Sequence, residues 1–306
     1  MNFTTPKILG ALTVVALAVA GLLAYRAWAP ADAAVQPDAR QGDSPPPSAG
    51  GEDAPRPQSR YYAPPAEVPM AFRDFYAMSQ MKRLNAVTAK MEDGDLPPAT
   101  LAFFKAELFN RNHWDVTRNN MANALVWQDK PDPELHRLFI KMLEDQTEGA
   151  VWRDYCLQFL SECLPSSSAP EVIEATLREY SQKAETNMAG TATVHLAYQE
   201  GADRVQLGEG FSRQLARQLD SAEVTDATKL SILGVAGKRR DRRLLPLVRA
   251  YAEQDANASL KRTAIASLGL IGDTRDEPVI RARLDHPNRA VQMAAKAALR
   301  RLQATE

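Results

Sequence analysis

Hydrophobic positions from Met70 onward follow the spacing of amphipathic helices, and no stretch alternates strictly between polar and apolar residues as a half-buried strand would. The pattern predicts helices near 71–91, 98–110, 113–127, 132–145, 149–163, 169–186, 189–201, 205–219, 224–236, 241–254, 258–271, 275–284 and 288–302. The expected fold class is therefore all-α, with a leading helix followed by about six antiparallel helix pairs.

Local cap signals mark several of the predicted helix starts. Asp132 stands before a proline and Glu134, which is the order of an N-cap acceptor followed by a first-turn proline. Ser168 and Glu171 have the spacing of a capping box, and Asp276-Glu277-Pro278 resembles it. Each proline occupies a position where its missing N–H removes no helical hydrogen bond. These signals predict helices that start close to 132, 168 and 276.

The helical pattern also repeats along the chain. Gly234 and Gly269 are 35 residues apart, and so are Leu233 and Leu268. Other pairs at this spacing are Gly237 and Gly272, Asp241 and Asp276, Leu230 and Ile265, Val116 and Val151, Arg118 and Arg153, and Leu125 and Leu160. Leu260, Ala264 and Leu268 match Val291, Ala295 and Leu299 at a spacing of 31. A period of 31–35 residues with two helices per unit indicates an α-solenoid.

The repeated residues resemble a known family. The run 260–273 and the run 291–299 resemble HEAT repeats of the short bacterial type that is related to phycobilisome-lyase repeats. The family usually has Arg after the first apolar position, where this chain has Lys261 and Gln292. The resemblance covers 224–302 most clearly. It implies stacked helix pairs, and its motifs specify packing rather than chemistry.

Small and branched residues account for the expected packing of these repeats. Small side chains let neighbouring helices approach closely; they are Ala264, Gly269, Ala294 and Ala295. Aliphatic side chains fill the seam between repeats; they are Leu230, Leu233, Ile265, Leu268 and Leu299. The segment Met70–Met91 is expected to be the N-terminal cap, because the first repeat of a solenoid has no preceding repeat to cover it. The helical-repeat domain is thus expected over 70–306.

The N-terminal 29 residues have a different character. The 18 residues from Ile8 to Tyr25 carry no charge, and as a helix they would extend for about 27 Å, close to the hydrocarbon thickness of ~30 Å. Two interpretations remain open for 1–29: an uncleaved transmembrane anchor, or a signal peptide cleaved after Ala33. The anchor is favoured because the apolar run exceeds the usual signal length. It predicts a single-pass membrane protein with an extracytoplasmic domain, and cleavage predicts a secreted or periplasmic one.

Residues 30–69 are predicted to be a disordered linker. Ten of the 20 prolines of the chain lie in this segment, and Ser, Gly, Ala and Asp make up most of the rest. Such a composition buries too little apolar area to offset the entropy cost of ordering. Proline also favours an extended chain, which suits a spacer between the membrane segment and the repeats.

Residues that could support catalysis are few and scattered. No two of the four histidines are four residues apart, and none precedes a Glu; they are His113, His136, His195 and His286. The iron-binding His-Glu dyads of HEAT-like hydroxylases are therefore missing, and we expect surface or cap histidines. Cys156 and Cys163 are seven residues apart on one predicted helix, about 10.5 Å, which is too far for a disulfide. They are expected to be buried free thiols.

Nucleotide-binding and hydrolase motifs are also missing. The chain has no P-loop and no GxSxG, and Gly208-Glu-Gly210 lacks the third glycine of a dinucleotide-binding turn. The carboxylates are spread as on a solvated surface, and none stands out as half of a catalytic pair. We therefore expect no catalytic residue, no cofactor and no metal site.

An aromatic string, Val151-Trp152-Arg153-Asp154-Tyr155, is the most distinctive local sequence. Packing between repeats explains most such side chains, and Trp114 occupies the equivalent stretch of the preceding pair. Trp or Tyr exposed on a concave face would instead be a hot spot for a protein partner. Trp152 and Tyr155 are accordingly candidate partner-binding residues.

Charge is ordinary in total and uneven along the chain. Lys and Arg number 37 and Asp and Glu 38, with two Cys, which excludes a strongly polyanion-binding total charge and a disulfide-rich scaffold. Residues 229–301 nevertheless contain 16 cations and 7 anions, a net charge of +9, so the remainder carries −10. The basic turn, which comprises Lys238, Arg239, Arg240, Arg242 and Arg243 with Asp241 among them, is the densest group. These five cations are further candidate partner-binding residues.

Together these patterns favour a non-enzymatic, membrane-tethered HEAT-repeat scaffold that binds an unidentified protein partner on the extracytoplasmic side. An enzyme or lyase accessory built on the same repeats is the alternative. A nucleic-acid-binding repeat protein is a further one, and it is disfavoured by the export signal.

Overall fold

The computed structural model describes residues 57–254 and 257–304, and all regular structure in these two ranges is helical, as predicted. Thirteen α-helices follow one another there: α1 Gln80–Met91, α2 Pro98–Glu107, α3 Asp115–Val126, α4 His136–Glu144, α5 Ala150–Cys163, α6 Pro170–Gln182, α7 Met188–Gly201, α8 Gly208–Asp220, α9 Asp226–Arg239, α10 Leu245–Glu253, α11 Ala258–Ile271, α12 Glu277–Arg281 and α13 Arg289–Gln303. Short 3-10 turns occur at Met70–Phe72, Phe75–Ala77, Arg242–Leu244 and Thr274–Asp276.

The helices pack as six pairs after a leading helix. α2 contacts α3, α4 contacts α5, and the same order continues to α12 and α13. In addition, each odd-numbered helix packs against the next odd-numbered one, from α1 through to α13. We call these seven helices the odd row and the others the even row. This arrangement is compatible with the helical-repeat fold that the sequence predicts.

The odd row is close-packed at small residues. A Cβ atom built on Gly269 of α11 would lie 2.6 Å from Ala298 Cα of α13, and one on Gly237 of α9 would lie 2.7 Å from Ser267 Oγ of α11. Both distances are too short for a side chain, so glycine sets the spacing of these helices. Ser267 Oγ also donates to Leu233 O (2.7 Å), which satisfies the hydroxyl inside the seam.

Tyrosine hydroxyl groups link successive helices of the even row. Tyr180 of α6 donates to Leu143 O at the end of α4 (3.3 Å). Tyr251 of α10 donates in the same way to Leu219 O of α8 (2.7 Å). Each bond satisfies a carbonyl oxygen in the last turn of a helix, where no backbone N–H follows to donate to it. Both tyrosines are largely buried, so their rings contribute to the core as well.

Side-chain caps begin α1, α9, α11 and α13, where a hydroxyl or amide oxygen accepts a hydrogen bond from a first-turn amide. Two of the predicted cap signals are wrong. α4 begins only at His136, because Asp132 accepts from the Glu134 amide (2.9 Å) and closes a turn ahead of the helix. α6 begins at Pro170 without a side-chain cap, because the Ser168 hydroxyl donates to Glu134 instead.

The predicted leading helix over 71–91 is shorter than expected. Two 3-10 turns precede α1, and Phe72 and Phe75 from these turns are buried against Phe103 of α2. The predicted helix over 275–284 is likewise reduced to a 3-10 turn and α12. Asp276 belongs to this turn, where it forms a capping box with Asp273.

Residues 57–69, assigned to the linker by composition, contact the helical domain. The Ser59 side chain is buried and donates to Asp145 Oδ2 (3.3 Å), and Gln58 donates to Asn110 Oδ1 (2.9 Å). Tyr62 donates to Glu107 Oε1 (3.1 Å). Specific polar partners thus order a segment whose composition predicts an extended spacer.

The predicted membrane segment at 1–29 and the linker up to residue 56 lie outside the described residues. Within 57–254 and 257–304, no helix has the length and apolar character needed to cross a bilayer.

Leu268→Ala in α11 should lower the free energy of unfolding by about 2–5 kcal/mol, because Leu268 is fully buried in the odd-row seam and its truncation leaves a cavity. Leu270→Ala is the matched control, since Leu270 lies on the same helix and its side chain is exposed. It should change stability by less than about 0.5 kcal/mol. Urea unfolding of both variants measures the difference, and equal effects would contradict the packing described.

Candidate functional site

The basic turn joins α9 to the 3-10 turn before α10. Arg240 ends α9 in the left-handed conformation (φ 51°), which lets the chain reverse direction between the two helices. Asp241 follows and accepts from the Arg243 amide (3.2 Å), which caps the 3-10 turn. Backbone and cap geometry therefore contribute to the shape of the turn.

Arg239 is anchored in the protein and not free for a partner. Its Nε lies 2.6 Å from Glu200 Oε2 of α7, and its Nη1 lies 3.0 Å from Asp241 Oδ2. The guanidinium also lies over the ring of Phe211 in α8, 5.2 Å from its centroid. Besides Asp241, acids from neighbouring helices therefore offset part of the charge of the basic turn. Arg243 pairs in the same way with Glu209 of α8.

Three cations of the basic turn remain exposed without an ion-pair partner among the described residues: Lys238, Arg240 and Arg242. They lie within five residues of one another, so their like charges repel. No ion pair among the described residues offsets this repulsion. A negatively charged partner would offset it.

Trp152 lies in the core, so its proposed contact with a partner is wrong. It is fully buried, its indole N–H donates to Met142 Sδ (3.3 Å), and the Arg118 guanidinium lies 4.1 Å from its ring centroid. Helical spacing explains the outcome, since position 152 faces the seam with α3 and α4. Tyr155, one turn later, is partly exposed, as a contact residue should be.

A buried polar cluster around Glu107 was not foreseen from the sequence. Glu107 is completely buried at the end of α2. Tyr76 (2.7 Å), Tyr62 (3.1 Å) and Asn110 (2.9 Å) donate to its carboxylate, and His113 Nε2 lies 2.6 Å from Oε2. Burial alone would raise the pKa of Glu107, but the hydrogen bonds from His113, Tyr76 and Asn110 outweigh it and lower that pKa. Burial and the nearby Glu107 raise the pKa of Tyr62 to about 12.

A second set of buried charges continues from this cluster. Arg111 contacts Asp145 Oδ2 (2.9 Å) and Glu148 Oε1 (3.1 Å), and Arg118 Nη2 lies 3.1 Å from the same Glu148 oxygen. All four side chains are buried. Each carboxylate therefore has a guanidinium partner, which offsets the cost of its burial. We interpret both sets as structural, because they fasten residues 57–62 and the first repeats together.

The structure confirms the expectation for both cysteines but not for all of the histidines. Cys156 and Cys163 are buried and free, as predicted, and burial raises the pKa of each thiol. We expected surface or cap histidines. His113 is instead buried in the Glu107 cluster. His136 is also buried, but it is the first residue of α4, where its Nδ1 lies 3.0 Å from Ser167 Oγ. Among the described residues, no group of His, Cys, Asp or Glu is arranged to hold a metal ion.

Exposed apolar side chains concentrate on the odd row. Among the described residues, eight large hydrophobic side chains lie exposed on its helices or directly after one: Met81, Val116, Trp127, Val151, Tyr155, Tyr198, Leu270 and Met293. The two most exposed of these, Val151 and Tyr198, have 62% of their surface accessible. On the even row, Val172 is the exposed counterpart. Apolar side chains recurring on successive helices of one row form a candidate contact face, which we call the odd-row face.

A polar stripe on α5 crosses this face. Asp154, Gln158 and Glu162 recur every four residues and so lie on one side of the helix. Gln158 donates to Glu162 Oε1 (2.8 Å), and the Trp127 side chain also donates to this carboxylate. Burial raises the pKa of Asp154 and of Glu162, because the hydrogen bonds that each carboxylate accepts only partly replace the water that it has lost.

The next helix of the row, α7, lies alongside this stripe in a fixed register. Thr191 donates to the Asp154 carboxylate, and Gln199 Nε2 donates to Ser161 O (2.7 Å). The first contact joins the N-terminal parts of α5 and α7, and the second joins their C-terminal turns. Tyr198 is therefore close to the level of Glu162. His195 lies one turn earlier, and burial lowers its pKa to about 4, so the imidazole is neutral at physiological pH.

A groove of about 650 Å³ on the even row is a weaker candidate. α6 and α8 line it with Arg178, Phe211 and Gln218 among others. Gln218 donates to Ser181 O (2.7 Å), and Arg178 donates to Gln206 O (2.8 Å), so its polar groups serve mainly to bridge the two helices.

Glu107→Gln should lower the free energy of unfolding by about 1–3 kcal/mol near neutral pH, since it removes the charge that the buried donors stabilise. Because the folded-state pKa of Glu107 is lowered, its stabilisation is complete above the unfolded pKa and is lost as the pH falls through the folded one. The gap between wild type and variant should therefore narrow below a pH of about 4. Urea unfolding across pH tests this, with the exposed Glu185→Gln as control. A gap independent of pH would contradict the assignment.

Arg239→Gln should lower the melting temperature, whereas the double change Arg240→Gln with Arg242→Gln should leave it almost unchanged. Arg239 loses two ion pairs and its contact with Phe211, while the other two cations have no ion-pair partner in the described structure. Loss of a partly buried charge pair costs more than removal of exposed charges, which contribute about 0–1 kcal/mol. Thermal unfolding followed by circular dichroism measures both, and the reverse order would show that the anchoring is misassigned.

No protein-family model matches this sequence, and no curated protein shows significant similarity to it. Among solved structures, human deoxyhypusine hydroxylase in complex with glycerol aligns with 75% of this chain and 99% of its own chain, at 14% identity and a TM-score of 0.31. A likeness this distant carries no inference about iron binding, activity or ligands.

Proposed function

We propose that this protein is a membrane-tethered HEAT-like scaffold, an α-solenoid of about six antiparallel helix pairs that binds a protein partner along its odd-row face. The observation that carries the proposal is the recurrence of exposed apolar side chains on six of the seven described odd-row helices, all except α9. A soluble monomer gains nothing by exposing such side chains in one row, while a partner would remove them from water.

The construction of the odd row suits this role. Each helix of the row packs against the next at small or buried residues, so the exposed side chains are held at fixed separations. A partner that contacts several helices then loses little of its binding energy in ordering the receptor. Tyr155 and Tyr198 are well suited as anchors, since aromatic rings supply much of the affinity at protein interfaces.

The exposed cations of the basic turn extend the same surface at the C-terminal end of α9. Lys238, Arg240 and Arg242 would meet an acidic region of the partner, and this contact should weaken as salt rises. The membrane tether rests on the uncharged run at 8–25 and the linker on the proline-rich sequence, which together would hold the repeats at a distance from the bilayer.

Site-specific photo-crosslinking in the native host tests the scaffold function. A photoreactive residue in place of Tyr155 or Tyr198 of the full-length protein should give discrete protein adducts. The matched control replaces Val172, which is exposed to a similar degree as Tyr155 but belongs to the even row. It should give none, because the even row is not the proposed contact face.

The same experiment reports on location and on the alternatives. Adducts that stay with membranes after carbonate treatment would support the tether, whereas a soluble form starting near Ala34 would show cleavage. Adducts that nuclease removes would favour nucleic acid as the partner. Equal crosslinking at Val172 and at the two tyrosines would overturn the proposed face.

A further inference from the structure

Three consecutive helices of the odd row, α3, α5 and α7, have two carboxylates without a cationic partner among the described residues. α3, α5 and α7 contain two cations, Arg118 and Arg153, and both are engaged elsewhere. Arg118 contacts Glu148, and Arg153 Nε donates to Leu143 O (2.8 Å). Asp154 is left without a cation among the described residues, as is Glu162.

The surroundings of these two carboxylates make the missing cation costly. Neutral donors serve them, Thr191 for Asp154 and Gln158 for Glu162. Asp154 Oδ1 is shielded from solvent and has no hydrogen-bond partner. A shielded carboxylate with an incomplete set of donors retains much of its desolvation cost, which a cationic hydrogen-bond donor would offset.

An aromatic ring lies beside Glu162, and two further rings belong to the same two helices, α5 and α7. Tyr155 follows Asp154 in sequence, Trp127 donates to Glu162, and Tyr198 lies near the level of Glu162 on α7. All three rings are partly exposed. Lys and Arg side chains are attracted both to carboxylates and to the faces of aromatic rings, so this combination favours cationic side chains over anionic or purely apolar ones.

We propose that the exposed face of α3, α5 and α7 binds a basic segment of the partner protein, with the charges of Asp154 and Glu162 attracting its Lys or Arg side chains. This inference rests on the proposed scaffold function and gives the chemistry of its partner. The spacing of the two acids, eight residues on one helix, separates them by about 12 Å. An extended segment would span that distance with cationic side chains about four residues apart.

Binding of a short synthetic peptide of alternating Arg and Gly to the full-length protein tests the proposal. Titration calorimetry should detect binding that weakens as NaCl rises, and the fluorescence of Trp127 should change because its indole borders the site. The double change Asp154→Asn with Glu162→Gln should weaken the affinity by about tenfold or more, because it removes both charges that attract the peptide.

The matched control replaces Asp220 with Asn and Glu253 with Gln, which removes the same charge from exposed positions on α8 and α10 of the even row. It should leave the affinity within about twofold, a difference too small to reflect a lost ion pair. In the variant Asp154→Asn with Glu162→Gln, each new amide keeps an acceptor oxygen, so this test variant should melt no lower than wild type. Circular dichroism checks that both double variants are folded.

Three results would overturn the inference. The first is that the peptide does not bind, and the second is that both double variants weaken the affinity for the peptide equally. The third is that the wild-type protein forms oligomers at low salt without any peptide, because this face pairs with the basic turn of a second copy. If crosslinking at Tyr155 and Tyr198 still yields adducts in such a case, the scaffold function stands and only the basic partner is wrong.

Discussion

The close approach of successive odd-row helices is the constraint on which the rest of this structure depends. Each helix pair has too little apolar surface to fold alone, so it needs the next pair to cover its seam. Gly269 lies against Ala298 and Gly237 against Ser267, and no other side chain fits between these helices without a shift. This spacing buries Leu233, and it fixes the positions of every side chain on the opposite, exposed side of the row.

A row of repeats also needs an end, and the N-terminal end is built differently from the seams. Phe72 and Phe75 cover α2 with aromatic packing, and the carboxylate of Glu107 gathers donors from residues far apart in sequence. A buried carboxylate is costly unless its hydrogen bonds are complete, so this cluster forms only when residues 57–76, α2 and His113 are all in place. The polar cluster therefore makes docking of the entering chain specific, while the aromatic rings supply most of the buried area.

The sequence predicted the parts of this structure that follow from local spacing. Helical periodicity located the pairs, and the 35-residue spacing identified Leu268 as a seam residue, because one repeat reproduces the contacts of the next. The sequence did not predict which charged side chains lack an ion-pair partner, since ion pairs join residues that are about one repeat apart. Arg239 pairs with Glu200, 39 residues earlier, and nothing local to the basic turn reveals it. Trp152 was misplaced for a related reason: an aromatic string on a helix points in several directions, and the seam with α3 decides which ring is buried.

The distribution of charge along the odd row has a consequence for recognition. From α3 onward the charge of the row changes sign along the chain. The helices α3, α5 and α7 keep two carboxylates without cations, whereas α9, α11 and α13 contain nine Lys or Arg residues and one acid, Asp226. A surface with such polarity distinguishes the two directions in which an extended partner could lie along it. A partner whose basic segment meets α5 would bring its following residues toward α9. There an acidic sequence would be accepted and a second basic one repelled. Apolar side chains recur over the length of the row and so favour contact in either direction, which leaves the choice of orientation to the charges.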